Sequence, residues 1–243
     1  TLIDKENILN LNQRILQYHL SSISSIKSKT LSKEFLAVLS NANPENNTDL
    51  NNNIFFIIKK LYEIGEIRKA YNLIKGINLD FISDEDYLVY FQVIELNYLL
   101  STFKLSEACE FKTTLLEKSI ILPNFLLEKT DIFCLTLEDK IAEAKLLNSL
   151  LKDSEQTIDS NFQNLFNYTI LENKEDVSFN SINLNQSREL IFLYSAMLRI
   201  NELPLTEDFI KIDPLNLSVP VILSDSTPMN IELKLLINHF MMK

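Results

Sequence analysis

Cysteine and histidine are the first residues to test for chemistry, and the chain has two of each. A nucleophilic Cys–His pair needs Cys109 or Cys134 beside His19 or His239, so that the imidazole takes the thiol proton. Nothing in their spacing supports that meeting. His19 reads as the end of a surface helix, and His239 as part of a last helix beside Leu236 and Phe240. Zinc is not expected either, because there is no CxxC pair and both histidines lie far from both cysteines in sequence. Carboxylates cluster at Asp84, Glu85 and Asp86, and again at Glu172, Glu175 and Asp176. General acid–base work needs one of them in an apolar cleft. The first cluster reads instead as dipole-favoured charge at a helix start announced by Ser83, the second as a solvated loop. No GxGxxG, Walker A, GxSxG or HExxH is present, and two glycines cannot build a phosphate-cradling loop. The expectation is therefore no catalytic residue, no metal ligand and no cofactor.

Binding chemistry is a different matter. Tyr87, Tyr90, Phe91, Ile94 and Tyr98 form an aromatic stripe at helical spacing. Its plain reading is core packing. Its sharper reading is that Tyr90 or Tyr98 faces a groove as a partner-binding anchor, apolar in body and polar at the tip. Met241 and Met242 read as a fraying end, with an adaptable contact surface as the alternative.

The elements that position these residues are helices. Of 243 residues only two are Gly and six Pro, and 46% are hydrophobic. That excludes collagen-like and linker sequences, global disorder, and β-sandwiches, which need turn residues every 8–12 positions. The net charge of −10, from 33 acids and 23 bases, is the wrong sign for a nucleic-acid or membrane-surface binder. No apolar run reaches the roughly 18 residues of a transmembrane helix. The chain begins at Thr1 rather than Met, which is expected for a processed or trimmed start that a signal peptide could have preceded.

The organisation predicted is an N-terminal helical arm over 1–39, an Asn-rich linker over 40–53, helical hairpins over 54–171, a polar loop over 172–185 and a C-terminal helical cap over 186–243. The linker, SNANPENNTDLNNN, holds seven Asn and one Pro. Helices are expected at about Leu31–Leu39, from Ile54, from Ile67, over Tyr87–Leu100 and Leu105–Glu117, from Pro123 to Leu137, and over Lys140–Leu151, Ile158–Leu171, Ser187–Ile200 and Asn230–Met242.

Three segments align without gaps: Gly65-Glu66-Ile67-Arg68-Lys69-Ala70, Phe103-Lys104-Leu105-Ser106-Glu107-Ala108 and Asp139-Lys140-Ile141-Ala142-Glu143-Ala144. Each follows an apolar helix and opens another. The alanines Ala70, Ala108 and Ala144 fall where two helices of a hairpin cross closely. Hairpins that cannot bury both faces alone stack on one another.

This pattern resembles the inter-helix segment of the tetratricopeptide repeat, Gly-Asp-Tyr-x-x-Ala, over about residues 52–153. Gly65 and Ala70 fit it best. Phe103 and Asp139 replace the glycine in the later copies, Ile57 and Ile58 stand where that family has a large–small pair, and its closing proline is absent. The resemblance implies an all-α fold, a right-handed α-solenoid of TPR-like hairpins with a C-terminal cap, whose concave face is lined mainly by the first helix of each hairpin. Ala108-Cys109, Phe133-Cys134 and Ala196-Met197-Leu198…Leu203-Pro204-Leu205 also resemble an uncharacterised, chiefly alphaproteobacterial family of helical-repeat proteins. That likeness implies the same fold and an exported chain, but no chemistry.

Two antiparallel helices place residues opposite one another when their positions share the turn centre as mean. The turn here falls near 119–123, and the mean of 109 and 134 is 121.5. Cys109 and Cys134 therefore face each other, with Ala108 allowing the close approach a disulfide needs. The alternative is two reduced core thiols in contact. A bridge implies an oxidising compartment, the periplasm for a bacterial chain, with the cytoplasm as the alternative. The function expected is a non-catalytic interaction or scaffold module with a protein or peptide partner and no nucleic acid. The alternative is a helical accessory subunit of a peptidoglycan-processing or secretion machine.

Overall fold

A computed structural model describes residues 11–23, 29–40, 51–64, 66–79, 82, 84–171 and 188–203. Among the described residues every regular element is helical. They fall into two compact units, one running to Tyr98 and one starting at Leu99.

The first unit holds α1 (Gln13–Ser22), α2 (Lys29–Ser40), α3 (Asn51–Glu63), α4 (Ile67–Lys75) and most of α5 (Glu85–Ser101). Asn12 caps α1, its Oδ1 accepting from the Arg14 N–H at 3.0 Å. α3 packs against α1, α2 and α4. It buries Ile54, Ile57, Ile58 and Leu61, the face read from the 3.6-residue period. The helix starts at Asn51, three residues before that face begins, inside the stretch expected to be linker. Asn53 does work there: its Nδ2 donates to the Leu11 carbonyl at 2.8 Å.

The second unit holds α6 (Leu105–Glu117), α7 (Leu126–Leu137), α8 (Ile141–Ser154), α9 (Ser160–Thr169) and α10 (Ile191–Ile200). α7 packs against α6, α8 and α9, and α10 packs against α9. Pro123 does not open α7 directly. It opens a single 3₁₀ turn, Pro123–Phe125, in which Asn124 and Phe125 both take left-handed φ of 55°. That turn ends before α-helical geometry begins at Leu126. α10 is buried on every side from Ile191 to Arg199, as a helix apolar all round is, with Ser195 and Arg199 enclosed among its apolar residues. The expected C-terminal cap beyond 203, the loop 172–185, and His239, Met241 and Met242 lie outside the described residues.

Among the described residues α5, α6, α7 and α10 stop in one shared way. Phe103, Ser119, Asp139 and Glu202 carry φ of 60°, 55°, 60° and 56°. Just past each, an N–H reaches back five residues to a leucine carbonyl: Lys104 to Leu99, Ile120 to Leu115, Lys140 to Leu135 and Leu203 to Leu198, at 2.9–3.1 Å. This is the Schellman closure, normally served by glycine at the left-handed position. The Glu66 N–H makes the same bond to Leu61 at 2.8 Å; Gly65 itself lies outside the described residues.

Candidate functional site

At three of these stops the chain turns into another helix in the same way. Glu66, Lys104 and Lys140 are the N-caps of α4, α6 and α8, with φ/ψ of −86°/49°, −85°/64° and −87°/55°. Four residues on, the N–H groups of Ala70, Ala108 and Ala144 donate to those cap carbonyls at 3.0, 2.9 and 3.0 Å. The three alanines are 0%, 1% and 0% exposed.

Cys109 and Cys134 form a disulfide, with Cα atoms 5.7 Å apart. Beside it the Lys112 Nζ pairs with Asp131 Oδ1 at 2.7 Å. The mean of 112 and 131 is also 121.5, so the two cross-links lie in one register of an antiparallel α6–α7 pair. Cys134 is buried and Cys109 half-buried.

Tyr90 and Tyr98 are half-buried, and neither ring stands alone. Tyr98 stacks on Tyr71 at 3.9 Å between centroids and 14° between planes. Tyr90 meets Phe55 and Tyr62 edge-on at 5.4 and 6.1 Å. Tyr87 stacks on Phe55 at 3.7 Å. Its phenol is pushed up by burial and, secondarily, by the Asp84 charge. Asp84 caps α5: its Oδ1 accepts from the Asp86 N–H at 3.0 Å and from the Tyr87 N–H at 3.4 Å. The acidic trio thus serves a helix start. His19 is exposed in the last turn of α1, its ring edge-on to Tyr18.

The main polar centre joins residues the sequence reading did not single out. Lys129 of α7 has a side chain only 3% exposed. Its Nζ meets Glu155 Oε1 at 2.7 Å, Asp159 Oδ2 at 2.9 Å and the Asn124 carbonyl at 3.2 Å. Asp159 also caps α9, its Oδ1 accepting from the Phe162 N–H at 3.1 Å. Tyr194 of α10 donates its hydroxyl to Asp159 Oδ2. Burial first, then the Asp159 charge, hold that phenol far above the ordinary tyrosine range. The lysine lies 5.8 Å from the Phe162 ring centroid. One ammonium thus gathers the α7 entry turn, the end of α8, the start of α9 and, through Asp159, α10. Next to it Asn148 and Gln163 exchange a reciprocal amide pair at 2.9 and 2.8 Å between α8 and α9. A lysine at the i+3 position from Leu126 and the i−4 position from Phe133, on a buried face, was the legible signal. Its carboxylate partners lie 26 and 30 residues away and carry no motif.

The centre's polar atoms face one another, so what it does chemically is hold elements together. Arg199 acts similarly nearer the end of the chain. It donates from Nη1 to the Ser101 carbonyl at 3.0 Å and lies over the Phe103 ring at 4.3 Å. Burial draws its guanidinium down to about 10. Among the described residues no group of His, Cys, Asp and Glu is placed to hold a metal ion, and no helix is long and apolar enough to cross a membrane. Comparison with family models, curated proteins and solved structures returns no match.

Proposed function

We propose that the chain is a non-catalytic interaction module, a helical-repeat scaffold that binds a protein or peptide. The observation that carries the reading is the joint shared by α4, α6 and α8. Three times a helix stops on a five-residue back-bond to leucine, passes through an N-cap of the same φ/ψ, and enters a helix whose fourth residue is a buried alanine. A chain that repeats one joint builds by stacking like units, and stacked hairpins offer extended surface rather than a reaction centre. The right-handed TPR-like solenoid and its concave face belong to this proposal. So do Tyr90 and Tyr98 as partner contacts. Their rings are braced by Phe55, Tyr62 and Tyr71, and a braced aromatic loses little entropy when bound.

Cross-linking mass spectrometry in extract of the native host tests this, with a Tyr90→Ala/Tyr98→Ala variant as comparator. The expected result is one recurrent partner cross-linked through α3 and α5, whose recovery falls about tenfold in the variant, as for loss of an interface anchor. Recovery unchanged by the substitutions removes the two tyrosines; no recurrent partner removes the module reading.

The disulfide favours a second reading, the accessory subunit of a peptidoglycan-processing or secretion machine in the periplasm. Binding to murein fragments in preference to peptides would select it. The cytoplasmic alternative requires the thiols to be reduced.

A further inference from the structure

The two halves of the disulfide meet different surroundings. Cys134 is 1% exposed, on a helix packed against α6, α8 and α9. Cys109 is half-buried at the rim of α6, where Ala108 and Lys112 lie on the buried face and Glu110 and Thr113 are exposed. One half of the bridge belongs to the interior and the other to the boundary with solvent.

Access decides how such a bridge opens and closes. Thiol–disulfide exchange is an in-line displacement, in which the attacking, attacked and leaving sulfurs lie near one line. Attack on Cys109 Sγ, with Cys134 leaving, comes from the side away from α7, where the rim of α6 meets water. Attack on Cys134 Sγ comes from the side away from Cys109, and a residue so fully enclosed offers no approach there. Buried Ala108 and Leu115 and the Lys112–Asp131 pair hold α6 on α7 whether the bridge is open or closed. The exchange therefore takes place on a folded chain.

We propose that Cys109 is a site of reversible thiolation, through which a low-molecular-weight thiol–disulfide couple makes and opens the bridge, with Cys134 as the resolving sulfur. In closing, the Cys109 thiolate attacks one sulfur of the small disulfide, and one small thiolate leaves. The Cys134 thiolate then attacks Cys109 Sγ of the mixed disulfide, and the second small thiolate leaves. The two cysteines give up two electrons and two protons, and the small disulfide becomes two thiols. Opening runs the same steps backwards when the small thiol is in excess. Geometry favours a small couple over a protein one. A disulfide between chains brings their Cα atoms within about 7 Å, and α6 is an unbroken helix with Glu110 and Thr113 standing beside Cys109. A sulfur on a short stem reaches Cys109 without laying a second backbone there. The site is independent of what the interaction module binds.

Oxidised glutathione is the probe for the single-cysteine variants. Cys134→Ala should form the mixed disulfide when folded within about tenfold of its rate in urea. Cys109→Ala should react more than about a hundredfold more slowly when folded than in urea, because its thiol waits on an opening of the fold. Circular dichroism without urea establishes that both variants are folded. The wild-type chain supplies a second readout that needs no substitution. It is treated with limiting reduced glutathione, quenched in acid, alkylated in denaturant and digested with trypsin, which puts the cysteines on separate peptides, Leu105–Lys112 and Thr130–Lys140. Glutathione is expected on the first peptide and the alkyl group on the second. Glutathione on the second peptide, an even split between the two, equal protection of both thiols in the folded variants, or no exchange until the chain unfolds would each overturn the proposal.

Discussion

Breaking the disulfide isolates a single term in the stability of the second unit. The bridge joins residues 25 apart. For a loop of that length the chain-entropy relation gives about 3.5 kcal/mol, through restriction of the unfolded chain. In the folded protein the reduced state keeps the Lys112–Asp131 pair in the same register, together with buried Leu115 and Leu126. Reduction should therefore leave the helices in place and change only their margin. With a urea slope of 1–3 kcal/mol/M, the unfolding midpoint should fall by roughly 1–3 M. Urea titrations of the native protein with and without a phosphine reductant measure this. The Cys109→Ala/Cys134→Ala variant controls for effects of the reductant elsewhere. Alkylation before any reductant is added, read by mass spectrometry, tells whether the thiols are free in the isolated protein. Coincident titrations, or two alkylated thiols, would refute both the bridge and the compartment argued from it.

Three further outcomes follow from other parts of the fold. Lys129→Met leaves Glu155 and Asp159 buried without their cation and should cost about 3–5 kcal/mol, whereas changing all three to apolar residues of similar volume should recover much of that; equal loss in both variants of a urea titration would contradict it. Ser119→Gly and Asp139→Gly relieve a left-handed backbone at an exposed side chain and should each raise stability by roughly 0.5–1 kcal/mol, the aspartate less. Lower thermal midpoints would show that φ at these positions is not what costs. Ala108→Leu should overpack the buried first turn of α6 and cost roughly 1–3 kcal/mol, and a neutral result would show that the position is not confined.

What was legible in the sequence was what depends on near neighbours. α6 runs from Leu105 to Glu117 as its period and flanks foretell, and the three alanines are buried where the aligned segments put them. The Cys109–Cys134 pairing was legible because an antiparallel pair has a single register and the turn fixes its centre. Local geometry misled at Pro123, where a proline suited to a helix start instead opens a 3₁₀ turn. The aromatic stripe of α5 was read first as core packing, and Phe91 and Ile94 are buried, but so are Val93, Glu95–Asn97 and Leu99–Ser101 around them. A helix enclosed on most sides has no outward face for periodicity to reveal. The same holds for α7, which buries most of its length and so presents little of the surface expected of a hairpin's first helix. The Lys129 centre was not legible because its members come from four elements, and no spacing rule links 129, 155, 159 and 194.

The hydrogen bond from Arg199 to Ser101 spans 98 residues. On a ribosome adding 5–20 residues per second, about 5–20 s separate the synthesis of its two ends. Tyr194, which completes Asp159, arrives in the same late stretch. Cys109 and Cys134, 25 residues apart, are made within about 1–5 s of each other. A nascent chain thus has α6 and α7 available for cross-linking well before α10 is there to close the unit. In that interval the apolar side of α9 that α10 later covers is open to chaperones, and a truncation before Ile191 would hold the unit in that state permanently.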